Sequence, residues 1–173
     1  MSDLRLQLER CFRGRVCVVG VGNVDWGDDG LGVRLAEALQ ADPRLAAGPA
    51  RIVVAGTAPE RYLAEIKAGG FDRVLFLDAV DVGAAPGAAV FLDAGEIAAR
   101  LPQVSTHKIS LGTLARWFEA GGTTRAWLLG VQPASLRPAA DLSPDVRRTL
   151  DVLARLCAQA ATGAAARLQP AIP

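Results

Sequence analysis

A chain of 173 residues, 51% of them hydrophobic, is long enough to build a core without disulfide or metal staples, and its length fits one domain. The 19 basic and 18 acidic residues leave a net charge of +1, which argues against nucleic acid or an anionic membrane as a partner. Three cysteines (Cys11, Cys17 and Cys157) show no metal-type spacing and are expected as reduced thiols in a cytoplasmic protein, not as a disulfide framework.

In chain order, Met1 to Arg15 mixes Asp, Arg, Gln and Glu, lacks the apolar stretch of a secretory signal, and reads as a leader of no evident function. No run is long enough to span a bilayer, so a soluble protein without membrane insertion is expected. A strand is expected over Val16–Val21 and a helix over Leu31–Gln40, then a strand over Arg51–Ala55 and a helix over Pro59–Ala68. Strands over Arg73–Leu77 and Ala88–Leu92 follow, then a brief helical turn at Ala94–Leu101 and a helix over Ser110–Ala120. The last strand is expected at Arg125–Val131 and the last helix at Pro144–Ala160. Pro59 and Pro144 suit first helical turns, Ser143 suits an N-cap, and Gly69-Gly70 and Gly121-Gly122 fall just past helix ends. From Thr162 to Pro173 the periodicity is lost and fraying is expected.

The strand candidates are aliphatic on both parities, as strands buried between two helical layers are. The fold class is therefore α/β: a three-layer α/β/α sandwich on a mostly parallel, mixed five-stranded sheet, forming one domain over residues 16–161. The link through Asp81-Val82-Gly83 to Pro86-Gly87 is too short for a helical crossover. It predicts a hairpin-like return, which makes the fourth strand antiparallel.

The most informative stretch is Gly20-Val21-Gly22-Asn23-Val24-Asp25-Trp26-Gly27-Asp28-Asp29-Gly30-Leu31-Gly32, between the first strand and the first long helix. Its opening Gly-x-Gly invites a dinucleotide reading, but the third glycine of that fingerprint is replaced by Asp25. Asp28 and Asp29 add negative charge where a phosphate would sit, so a cation or a positively charged group fits better. In open α/β sheets ligands collect beyond the carboxyl ends of strands. Three polar segments fall at such ends or at helix starts: Asn23 with Asp28-Asp29, Asp78 with Asp81, and Ser105-Thr106-His107-Lys108, which holds the only histidine. Two carboxylates and an imidazole converging there suit a divalent metal such as Zn, Ni, Mn or Fe, with a coordination position left open.

Each residue also has a plain structural reading. Asp28 is simplest as a helix N-cap, and Asp29 as a charge favoured by the helix dipole. Asp78 suits bonding to loop amides, Asp81 a turn before Gly83, and Ser105 and Thr106 local loop bonds. Covalent catalysis is poorly supported: there is no Gly-x-Ser-x-Gly elbow and no His-Glu-x-x-His pair. A Ser105–His107–Asp78 triad would set Ser and His badly for each other, two apart on one loop, and no cysteine lies near these loops. Hydrolysis, if it occurs here, would rely on a metal-polarised carbonyl or a metal-activated water.

Five ordered segments together resemble the hydrogenase maturation protease family. They are Gly20-Val21-Gly22-Asn23 with Gly27-Asp28-Asp29-Gly30-Leu31-Gly32; Gly56-Thr57-Ala58-Pro59-Glu60; Leu77-Asp78-Ala79-Val80-Asp81; Ser105-Thr106-His107-Lys108; and Gly130-Val131-Gln132-Pro133. The resemblance runs from about Val16 to Cys157. It implies an aspartyl-type endopeptidase that removes a short C-terminal peptide from the precursor of a nickel–iron hydrogenase large subunit after nickel insertion. Nickel is then recognised in the precursor, not necessarily bound by the free enzyme, and the family's nickel-contacting and catalytic positions fall on Asp29, Asp78 and His107. A non-catalytic, metal-checking chaperone of the same subunit is the alternative. The chain departs from the family's pattern at Asp25 and Trp26, and Trp26 suits covering the core edge slightly better than contacting substrate.

Overall fold

The computed structural model describes residues 2–46, 48–101 and 110–168, with backbone alone at Ser2 and over 164–168. Its strands are β1 (Val16–Val21), β2 (Arg51–Gly56), β3 (Arg73–Ala79), β4 (Ala89–Asp93) and β5 (Arg125–Val131), in the sheet order β2-β1-β3-β5-β4. Its helices are α1 (Ser2–Cys11), α2 (Leu31–Gln40), α3 (Pro43–Ala46), α4 (Leu63–Ala68), α5 (Ala94–Arg100), α6 (Leu111–Glu119) and α7 (Pro144–Leu168). β1 runs parallel to β2 and β3, β3 parallel to β5, and β4 antiparallel to β5.

Alternation along each strand divides the core into two layers. Val16, Val18, Leu75, Leu77, Leu129 and Val131 face α1, α2, α3 and α7. Cys17, Val19, Val74, Phe76, Ala126 and Leu128 face Ile66 of α4, Ile97 of α5 and Leu114 and Phe118 of α6. The expected three-layer sandwich with a mixed five-stranded sheet is the observed one. The three cysteines are free and buried, and desolvation pushes the thiol pKa of each up to about 12.

Four elements differ from the expectation. The chain does not fold back from β3 into a hairpin, because β5 lies between β3 and β4. Residues 80–88 instead ride along the end of β5: Val80 N–H donates to Val131 O, and Gln132 N–H donates to Ala88 O, each at 2.9 Å. That path gives the apolar β5 a partner on both edges, which a hairpin would deny it. The Met1–Arg15 segment carries α1, whose Leu8 and Cys11, with Phe12 just beyond it, are buried in the layer that includes Leu150, Leu153 and Cys157 of α7. The final helix continues past Ala160 to Leu168, and the expected helix over Pro59–Ala68 opens with a 3-10 turn at Pro59–Tyr62.

The start of α2 presses directly onto the sheet. A Cβ on Gly32 would lie 2.0 Å from Leu77 O and 2.3 Å from Val21 O, and one on Gly20 would lie 2.4 Å from Ala36 Cβ. Only hydrogens fit there, so these glycines set how closely the 22–31 turn approaches β1 and β3. Gly32→Ala should therefore destabilise the protein by about 3 kcal/mol, the upper end for a methyl group forced into a packed core. Urea unfolding reads this as a lower midpoint with an unchanged slope.

Candidate active site

β1 and β3 are neighbours, and the chain leaves them in opposite directions along the sheet: β1 leads through α2 to β2 on one side, and β3 leads through residues 80–88 to β4 beyond β5 on the other. A crevice opens at that point of divergence, beyond the carboxyl ends of the strands. Gly22, just past β1, and Asp78, the penultimate residue of β3, stand beside it. A Cβ on Gly22 would be 1.8 Å from the backbone carbonyl oxygen of Asp29 and 3.8 Å from Asp78 Oδ1, so the Asp29 backbone packs onto this glycine, whose φ is +130°, and the Asp78 carboxylate lies within van der Waals reach of it. Asp29 is 7% exposed and Asp78 5%.

The paired acids take different roles because of the turn they occupy. Gly27–Gly30 forms a 3-10 turn running straight into α2. With three residues per turn, consecutive side chains leave about 120° apart. Asp28 points away from the crevice and is fully buried. Its Oδ1 accepts from Ser143 N–H (2.6 Å), and its Oδ2 accepts from Ala134 N–H (2.8 Å), Ser135 N–H (2.9 Å) and the Ser143 hydroxyl (2.9 Å). Asp28 is thus not the helix cap its position suggested: neither the turn nor α2 has a side-chain cap. It fastens the β5–α7 loop, and Ser143 spends its hydroxyl on that bond.

Asp29 points toward Asn23, whose N–H it accepts at 2.8 Å through Oδ2. It also lines a cavity of about 340 Å³ with Asn23, Trp26, Thr57 and Leu136. Asp78 Oδ1 accepts from the N–H of Ala79 at 2.9 Å, the local amide bond expected of it. A larger groove, about 720 Å³, lies between α1, α7 and the segment around Gly87, but its one carboxylate, Asp145, is exposed and ion-paired with Arg148. The smaller cavity is the chemically relevant one, since its carboxylate, Asp29, is buried, and a buried carboxylate belongs where a cation or proton is handled.

Asp81 serves as the expected turn former. The Gly83 N–H and then the Gln132 amide hold its carboxyl below the usual carboxylate range. Gln132, given no role from sequence, is buried and spans two loops. Its Oε1 accepts from Val82 N–H (2.8 Å) and Ala84 N–H (3.2 Å), while its Nε2 donates to Asp81 Oδ1 (3.1 Å). Its place at the end of β5, one strand from Asp78, was the available signal. Trp26 does not cover the core edge: it is 48% exposed. Ser105, Thr106, His107 and Lys108 lie outside the described residues. Among the described residues, no three Asp, Glu, His or Cys side chains form a ready metal cluster.

The hydrogenase maturation protease family profile matches residues 33–160. The chain belongs to the hydrogenase maturation protease family, and it is a peptidase. It is 32% identical over 171 residues to a hydrogenase expression/formation protein of Azotobacter vinelandii, covering 90% of this chain and 81% of that one. The hydrogenase 3 maturation protease of Escherichia coli K12 is 34% identical over 113 residues, covering 65% and 69% of the two chains. The crystal structure of a nickel–iron hydrogenase maturation protease from Thermococcus kodakarensis KOD1 superposes with a TM-score of 0.77 at 29% identity, covering 90% of this chain and 98% of that one. No described helix of this protease is long and apolar enough to cross a membrane.

Removing the Asp28 carboxylate leaves buried donors on the β5–α7 loop without an acceptor. Asp28→Ala should cost about 3 kcal/mol, several unmet donors being partly relieved by water. Calorimetry should show a melting temperature lower by roughly 10 °C. Asp28→Asn, which keeps one acceptor oxygen, should fall between the variant and the parent.

Proposed function

We propose that this peptidase removes the C-terminal extension from the nickel-loaded precursor of a nickel–iron hydrogenase large subunit, with Asp29, Asp78 and His107 as the residues that meet the metal and carry the cleavage. The observation that supports it most is that two buried acidic residues, Asp29 and Asp78, sit on the two segments that meet at Gly22, beyond the carboxyl ends of β1 and β3. Asp28 has four hydrogen-bond donors, whereas Asp29 has one among the described residues, the Asn23 N–H. A buried carboxylate so lightly engaged is stabilised by an arriving cation. His107 joins them on the strength of the family pattern.

In this reading nickel arrives as part of the substrate. Bare affinity would favour copper over nickel at an imidazole–carboxylate site, so selectivity comes from the metal the precursor already holds. A metal at the scissile bond supplies Lewis-acid polarisation of the carbonyl or a positioned water. The chain's own part is geometric. Gly22 lets the Asp29 backbone pack against the end of β1, the glycine-seated α2 fixes Asp29, and β3 fixes Asp78. Hydrolysis then delivers hydroxyl to the carbonyl carbon and a proton to the departing nitrogen.

Intact mass spectrometry of the cognate precursor, incubated with the protein with and without nickel, tests this. A C-terminal peptide should be lost from the nickel-loaded form only. Asp29→Asn, Asp78→Asn and His107→Ala should each slow the cut by about 100-fold or more, near 3 kcal/mol in the barrier. Normal cleavage by His107→Ala would remove His107 from the set. An unchanged mass for verified, loaded precursor would favour the non-catalytic chaperone.

A further inference from the structure

The rim of the Asp29 cavity is apolar and exposed. Trp26 stands on the turn before Asp28, and Leu136 on the β5–α7 loop, at 48% and 45% exposure. Single exposed apolar side chains are ordinary on any protein surface. Here two large ones, from loops about 110 residues apart, border the same cavity beside a buried carboxylate.

Neither loop is loosely held. The Asp28 carboxylate takes its donors from Ala134, Ser135 and Ser143, and Asp28 N–H donates back to Ser135 O at 3.0 Å. Gly27, at φ +55°, lets the loops touch: a Cβ there would lie 2.8 Å from Ser135 O. Ala139 N–H donates to Asp25 O at 2.7 Å, and Ala139 is the only described non-glycine residue with a positive φ. A non-glycine residue keeps that conformation where its surroundings over-determine it. Trp26 N–H donates to Asn23 O, and Asp29 N–H to Trp26 O. The two side chains are thus set on one braced frame before any partner arrives, which lowers the ordering cost of binding.

We infer that Trp26 and Leu136 form a preorganised apolar clamp that receives an apolar side chain of the polypeptide substrate, within a few residues of the bond to be cut. This rests on the endopeptidase reading, because the clamp is continuous with the Asp29 wall of the cavity. It separates two tasks: the acidic residues meet the metal, and the clamp sets the register of the chain passing over them. The clamp binds substrate and transition state alike, so its loss raises KM and leaves kcat in place.

Steady-state cleavage of the nickel-loaded cognate precursor tests it. Trp26→Ala and Leu136→Ala should each raise KM about tenfold with kcat within about twofold, the usual size for losing a large apolar anchor. Trp26→Phe should restore most of the loss, and Trp117→Ala, an exposed aromatic on α6, should change nothing. In the precursor, alanine replacement of each apolar residue within about five positions of the cut should identify one position whose loss matches that of Trp26→Ala. Combined with Trp26→Ala, that replacement should add little. Unchanged KM in both clamp variants, or fully additive losses at every substrate position, would overturn the clamp. If the parent binds the loaded precursor without cutting it, the endopeptidase reading falls and the clamp is judged by calorimetry. A tenfold weaker Kd for Trp26→Ala then upholds the clamp, and an equal Kd overturns it. A parent that neither cuts nor binds overturns both.

Discussion

The buried carboxylate of Asp28 is the constraint on which the candidate site depends. Taking a charge fully out of water is costly unless donors replace the lost hydration. Here they come from Ala134, Ser135 and Ser143, more than a hundred residues along the chain. Charge-assisted bonds of this kind are about twice as strong as neutral ones. Their effect is to close the β1–α2 turn against the β5–α7 loop, joining the beginning of the fold to its end. With Asp28 committed inward, its neighbour Asp29 is turned toward Asn23 and the cavity.

The sheet supplies the second half of the geometry. Because β1 and β3 are adjacent, the Asp78 carboxylate at the end of β3 lies near the same glycine onto which the Asp29 backbone packs. Gly20 and Gly32 let α2 sit against the backbone of both strands, a spacing no larger residue permits. On the far side of β3, Gln132 ties the loop after that strand to the end of β5 and holds Asp81 away as a turn residue. The acidic residues therefore divide cleanly. Asp28 and Asp81 build loops, while Asp29 and Asp78 border the opening.

Much of this was legible from residue order. Strand bounds followed from short aliphatic runs between Gly and Pro punctuation, and β1 and β5 match the expected limits. The two acidic segments stood out by their place at strand ends. What was not legible was long-range. Asp28 read as a helix cap because a cap is the local use of such a residue, and nothing near it announces donors at Ser143. The hairpin expectation failed for a similar reason: a short link between β3 and β4 does not show that a later strand will insert between them. The polar surface of α1 hid Leu8, Cys11 and Phe12, which are buried by a helix at the other end of the chain. The metal-meeting role of Asp29, Asp78 and His107 came from the family resemblance, and His107 lies outside the described residues.

The account joins a rigid acidic opening to a substrate that brings its own metal. X-ray absorption at the nickel edge tests that union most directly, comparing the loaded precursor alone with its complex with this protein. The account predicts added oxygen and nitrogen neighbours around nickel in the complex, with the oxygen neighbours lost when Asp29 and Asp78 are both replaced by alanine in a variant that still binds. A nickel environment unchanged by complex formation would contradict it.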